Sequence, residues 1–152
     1  MRRVEVINLF SAENHGRIDV SGALGSTEMA MFVYDVEPGG GSSPYHYEYD
    51  EEWLLVVEGT IVVRTPDGEH SLERGDLVRF PAGPEGAHKV MNRSDAPART
   101  LLFSHRRGLA VSVYPDSATI GVFPANEEDA LVFRRDSAVP WAYGEEGWNK
   151  AD

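Results

Sequence analysis

Residues 40–59 read GGSSPYHYEYDEEWLLVVEG, and the chemically capable side chains in them, His46, Glu48 and Glu52, come just before an unbroken apolar run. On a β-strand side chains two apart share a face and sit about 6–7 Å from each other, so His46 and Glu48 converge on one centre. Glu52 joins them after a short bend. Such groups facing the inside of a β structure repel one another or stay unsatisfied unless a cation or a hydrogen-bonding partner sits among them.

Residues 75–92, GDLVRFPAGPEGAHKVMN, complete the pattern with a Gly-Asp turn, a short strand, a Pro/Gly-rich loop and His88 opening another strand. With both stretches in view, the chain resembles the cupin superfamily. Gly40, His46, Glu48, Glu52 and Gly59 fit the first cupin motif position by position, except that Glu48 stands where the family usually has its second His. Gly75, Pro81, Gly83, His88 and Asn92 fit the second motif, with two extra residues in the loop before His88. The resemblance implies an all-β, single-domain double-stranded β-helix or jelly-roll barrel with little helix. It also implies one divalent metal inside, with His46, Glu48, Glu52 and His88 as its ligands.

Composition narrows the function classes. A chain of 152 residues is one domain's worth, enough for one sizeable core. The net charge of −11 and the lack of clustered Lys and Arg argue against nucleic acid and anionic membrane surfaces. No apolar run approaches the roughly 20 residues needed to cross a bilayer, and MRRVEVINLF lacks the apolar core of a secretion signal. Zero cysteines remove disulfides and thiolate ligands, and a cytoplasmic protein is the default expectation, while the resemblance is to small, single-domain bacterial cupins.

Along the chain, residues 1–27 read as an arm with VEVINLF as an edge strand and glycines that break any helix, 28–114 as the conserved barrel, and 115–152 as C-terminal strands and an acidic aromatic tail. Many short strands separated by Gly, Pro and Asp turns point to a closed barrel or sandwich. Pro66-Asp67-Gly68 is a hairpin turn signal. His15 and His70 read as solvated side chains. Trp141, Tyr143 and Trp148 read as rings pinning the tail onto an apolar patch, with clasping a partner subunit or lidding the barrel mouth as the other readings. In WLLVV both strand faces are apolar, so the strand needs a cover beyond the barrel lumen, which points to terminal segments or a homodimer.

Two imidazoles and two carboxylates bring a formal charge that a divalent cation cancels, and oxygen and nitrogen donors without sulfur suit Zn, Mn or Fe(II). If Glu48 does not coordinate, His46, Glu52 and His88 form a two-His, one-carboxylate face, and Glu48 is free as a general acid or base. The metal-free alternative has the same four groups hydrogen-bonded to a ligand, to waters or to an inward arginine, Arg64 or Arg79. The resemblance implies two function classes: a metal-dependent isomerase, decarboxylase, lyase or dioxygenase acting on a small polar metabolite, or a non-catalytic binder of a sugar or carboxylate.

Overall fold

The computed structural model describes residues 5–11, 13–106, 108–145 and 147. Its strands are β1 (Arg17–Asp19), β2 (Met29–Val36), β3 (Tyr47–Glu48), β4 (Glu52–Glu58), β5 (Thr60–Thr65), β6 (Gly68–Glu73), β7 (Leu77–Phe80), β8 (Lys89–Met91), β9 (Ala98–His105), β10 (Leu109–Tyr114), β11 (Thr119–Pro124) and β12 (Leu131–Arg134). One short helix, α1 (Val20–Ala23), follows β1 and is capped by the Asp19 carboxylate accepting from the Gly22 N–H at 2.7 Å. Gly22 therefore lies inside a helix, contrary to the expectation that it breaks one. No helix among the described residues is long and apolar enough to cross a membrane.

The strands pair antiparallel in three sheets, ordered β1-β2-β9-β4-β7, β12-β11-β10-β3 and β6-β5-β8. The fold is all-β and jelly-roll-like, with hydrogen bonding divided among separate sheets rather than running continuously round a closed barrel. Leu54, Val56, Ile61, Val63, Phe80, Val90 and Ala98 form the main core between the five- and three-stranded sheets. Burial of an aliphatic side chain of this size contributes about 1.5–3 kcal/mol. In β4 Glu52, Leu54 and Val56 are buried and Trp53, Leu55 and Val57 only half-buried, the two-sided apolar pattern read from sequence.

The turn at Gly59 shows why the first motif ends in glycine. Its φ is 75°, and a Cβ there would lie 2.9 Å from both the Ala98 Cα and the Pro97 carbonyl oxygen, where β4 turns beside the start of β9. The turn between β5 and β6 occurs at Pro66-Asp67, as expected, with Thr65 paired to Gly68. The last motif residue, Asn92, is structural. Its buried amide donates to the carbonyls of Val36 at 2.7 Å and Ala96 at 2.8 Å, and its oxygen accepts from the Ser94 N–H and hydroxyl.

Two expectations at the ends of the chain are corrected. VEVINLF forms no strand over residues 5–10, because the Asn8 side chain accepts from the Phe10 N–H at 2.9 Å and its carbonyl accepts from Asn14, which turns the run on itself. The first strand begins instead at Arg17. In the tail, Trp141 and Tyr143 are 81% and 72% exposed rather than pinned onto an apolar patch, and Trp148 lies outside the described residues.

Candidate metal centre

His46, Glu52 and His88 meet at one point although three separate segments carry them. Glu52 opens β4, with Phe80 of β7 on one side and Ser104 of β9 on the other. His46 precedes β3 and pairs with His88 in an isolated antiparallel bridge. Side-chain donor atoms of the three lie within 4.8 Å of one another, and all three residues are buried. Both imidazole Nε2 atoms approach the Glu52 Oε2, at 3.8 Å from His46 and 3.7 Å from His88.

Hydrogen bonding fixes the tautomers. The His46 Nδ1 lies 2.9 Å from the Pro44 carbonyl oxygen, and the His88 Nδ1 lies 2.9 Å from that of Gly86. A carbonyl only accepts, so each Nδ1 carries the proton and donates it, and each Nε2 presents a lone pair toward Glu52. Phe80 stacks on the His88 ring at 3.7 Å between centroids and an interplanar angle of 7°, which locks that ring in place. The His88 Nε2 is buried with no hydrogen-bond partner.

Burial sets the protonation states. It pushes the Glu52 carboxyl up to about 8, with the nearby Glu48 and Asp50 charges adding to the effect. It pushes the His88 imidazole down to about 4, with the His46 charge adding and the Gly86 hydrogen bond opposing. At neutral pH the Glu52–His88 contact therefore joins a neutral acid to a neutral imidazole and is not an ion pair. The donor set fits a divalent ion: bonds of about 2.0–2.2 Å to nitrogen and oxygen place donor atoms roughly 3–3.5 Å apart. The two Nε2–Oε2 separations of 3.8 and 3.7 Å therefore close with movements of a few tenths of an ångström, while the widest donor separation, within 4.8 Å, closes by about an ångström more.

Glu48 lies outside this group of three. Its Oε1 accepts from the Ser112 hydroxyl of β10 at 2.7 Å, where Ser112 faces Glu48 across the β3–β10 pair. Arg64 and Arg79 are not inward partners: Arg64 pairs with Asp116 at 2.6 Å and covers the Tyr45 ring, and Arg79 pairs with Glu51 at 2.7 Å on the outer surface. Each is drawn outward by an exposed carboxylate. The two extra loop residues fold into one 3-10 turn over Pro84–Gly86, which leaves the His88 backbone bridged to His46.

The comparisons with known proteins follow the same lines. The cupin domain family profile matches residues 32–104. A solved structure from Silicibacter pomeroyi DSS-3, described as a sugar phosphate isomerase from a cupin superfamily, is 30% identical with a TM-score of 0.74, over 84% of this chain and 82% of that one. The chain belongs to the cupin superfamily. The cupin fold is also shared with a solved protein from Thermus thermophilus, 28% identical with a TM-score of 0.56, over 68% of this cupin and 99% of that chain. The tetracenomycin polyketide synthase protein TcmJ of Streptomyces glaucescens is 31% identical over 81 residues, 53% of this cupin and 48% of that relative. This cupin thus matches about half the length of that relative.

In this cupin His46 and Glu52 line a cavity of about 680 Å³ that also exposes Glu48, Asp50, Ser104 and Arg17. The sequence reading missed Ser112 and Tyr114. Tyr114 places its ring 5.9 Å from that of His46, and burial raises its hydroxyl above the usual phenol range. Their only signal was period two along VSVY, and without the β3–β10 pairing that pattern does not say which face meets the site.

Proposed function

We propose that His46, Glu52 and His88 hold a divalent metal, Zn, Mn or Fe(II), and that this cupin uses it to act on a small polar metabolite in the adjoining cavity. The observation that carries the proposal is the His88 Nε2, a buried lone pair without a hydrogen-bond partner, aimed with the His46 Nε2 at one carboxyl group. An apolar or hydrogen-bonded role leaves no reason to bury that nitrogen unsatisfied. A divalent ion there supplies Lewis-acid polarisation of a carbonyl or hydroxyl oxygen. Glu48, held by Ser112 at the cavity wall, is placed to accept or donate a proton beside it. The 30%-identical relative described as a sugar phosphate isomerase favours a polyhydroxy substrate and an isomerase.

Elemental analysis of protein purified without a tag tests the metal: about one equivalent per chain is expected for a buried set of three ligands. Less than about a tenth of an equivalent, with no uptake on titration, rejects it. Turnover of sugar phosphates and hydroxy acids by loaded protein then separates an enzyme from a non-catalytic binder, which saturates with ligand and leaves it unchanged.

The outer face of the five-stranded sheet supports a homodimer. The rows Met31–Phe103–Trp53 and Leu101–Leu55–Leu77 run across β2, β9, β4 and β7, and these residues are half-buried or, for Leu77, 54% exposed. On β12, Leu131, Val132 and Phe133 expose both strand faces. Two apolar surfaces on one chain suit reciprocal contact in a pair of copies.

A further inference from the structure

Two guanidinium groups line the cavity, Arg17 from β1 and Arg106 just past β9. Their surroundings differ. Arg106 donates from Nη2 to both Asp19 carboxylate oxygens at 3.2 Å and to the Ser21 hydroxyl at 2.8 Å, and from Nε to the Met29 carbonyl at 3.4 Å. It serves as a strut between β9 and the segment around α1, and its charge is balanced by Asp19.

Arg17 has no such counter-charge. Its guanidinium lies over the Phe32 ring, 4.5 Å from the centroid, and its Nε donates to the Tyr34 hydroxyl at 3.4 Å. Among the described residues no carboxylate lies within ion-pairing distance of it. A ring on one side and a phenol at Nε orient the exposed group at the cavity wall, and no hydrogen bond within the described residues occupies its two terminal nitrogens. That arrangement suits a fork-shaped contact with an oxyanion, since a guanidinium matches two oxygens of a carboxylate or phosphate at once.

Register places Arg17 far from the metal centre. Arg17 pairs with Tyr34, while Glu52 pairs with Ser104 and Ser104 with Ala30. The two ends of the cavity are thus three strand spacings and four residues apart, about 14 Å across and 13 Å along if the sheet were flat. Side chains reaching inward from both ends shorten that gap. A ligand that touches both ends therefore carries its anion several bonds away from the oxygens at the metal.

We propose that Arg17 is the anion-recognition residue of this cavity and takes the phosphate or carboxylate at the far end of the metabolite. The inference rests on the metal-centred reading for the other end of the ligand but is tested apart from it.

The test uses the full chain stripped of metal by chelator, with inorganic phosphate as one probe and acetate as the other, followed by calorimetry or by amide shifts in NMR. Phosphate binding that Arg17→Gln weakens by about tenfold or more, and that Arg17→Lys weakens less, is expected, because one charge-assisted contact is lost and only its fork is lost in the second case. Tighter phosphate than acetate assigns a phosphate ester; the reverse assigns a carboxylate. Wild-type protein that binds neither probe, or variants that bind as wild type does, overturns the proposal. Metal uptake is measured in the same samples: its failure alongside Arg17-dependent phosphate binding removes the metal reading and leaves the anion site standing.

Discussion

His46 and His88 exchange both backbone hydrogen bonds, the His46 N–H donating to the His88 carbonyl at 3.0 Å and the His88 N–H to the His46 carbonyl at 2.8 Å. The spacing of the two imidazoles is therefore set by main chain, with ring centroids 4.8 Å apart. Glu52 arrives from a different sheet, so the centre joins a preformed pair to a third group fixed by core packing.

That division makes the roles of the two carboxylates separable. Glu52→Gln is expected to weaken divalent-metal affinity by at least about 10–100-fold, the loss typical even of groups that only support a ligand. Glu48→Gln, outside the cluster, is expected to change affinity by less than about tenfold and to depress turnover instead. Competition with a chromogenic chelator measures both. Equal losses in the two variants would place Glu48 among the ligands.

The apo protein is expected to lose stability as pH rises from 6.5 to 8. Glu52 is raised from 4.5 to about 8 on folding, so the native state binds more protons than the unfolded state across that range, and stability falls with rising pH. His88 is lowered from 6.5 to about 4, so its contribution is complete above 6.5 and is lost as pH falls toward 4. The two slopes oppose each other below 6.5, and only Glu52 acts above it. Metal reverses the upper slope, because binding needs the carboxylate form. Thermal melts with chelator and with added metal at several pH values read this directly, and a chelator-treated melting temperature that climbs from pH 6.5 to 8 contradicts it.

Arg99 ties the N-terminal arm to the sheet. It pairs with Asp35 through two contacts of 2.5 and 2.8 Å, and it donates to the carbonyls of Leu9 and of Asn14, the latter at 3.0 Å. The pair is largely shielded, with side-chain exposures of 13% and 18%. Arg99→Gln is expected to cost about 2–3 kcal/mol, the range for hydrogen bonds to charged groups, and to speed proteolysis within residues 5–15. The Arg99 hydrogen bond is also the main reason the Asp35 carboxyl sits below its usual range, so this contribution disappears as pH falls below 3.8. Unchanged denaturation midpoints and cleavage rates would show that the arm is held elsewhere.

On the outer sheet face, Leu101→Asp places a charge in the middle of the apolar rows and is expected to yield a monomer in light scattering at micromolar concentration while metal content stays unchanged. Wild-type protein that is already monomeric under those conditions removes the dimer.

The legible part of the molecule was local in sequence. Strand period and turn residues identify β4 to β9, and the match to two short cupin motifs singles out His46, Glu52 and His88, together with Glu48, which lies outside the group of three. What was illegible depends on partners far along the chain. Ser112 reaches Glu48 from 64 positions away, and neither residue names the other in the sequence. Arg64 and Arg79 carry the right charge for the cup, but exposed Asp116 and Glu51 turn them outward. VEVINLF has strand-forming residues, and the single side chain of Asn8 diverts it. The C-terminal strand β12 exposes both faces, and an apolar pattern alone does not say which surface covers it.

The loop ahead of His88 is anchored at both ends, and the Gly83 N–H ties it to the Glu48 carbonyl at 2.7 Å. A Cβ on Gly86 would fall 1.7 Å from the Pro81 carbonyl oxygen, so that position admits no side chain, and the Gly86 carbonyl in turn holds the His88 ring. Between those fixed ends, Pro84 and Glu85 face solvent. Evolution can therefore recolour the exposed side chains at the tip of this rim without disturbing the ring beneath it. Directed libraries aimed at new specificities belong at positions 84 and 85, with 81 and 86 left as they are.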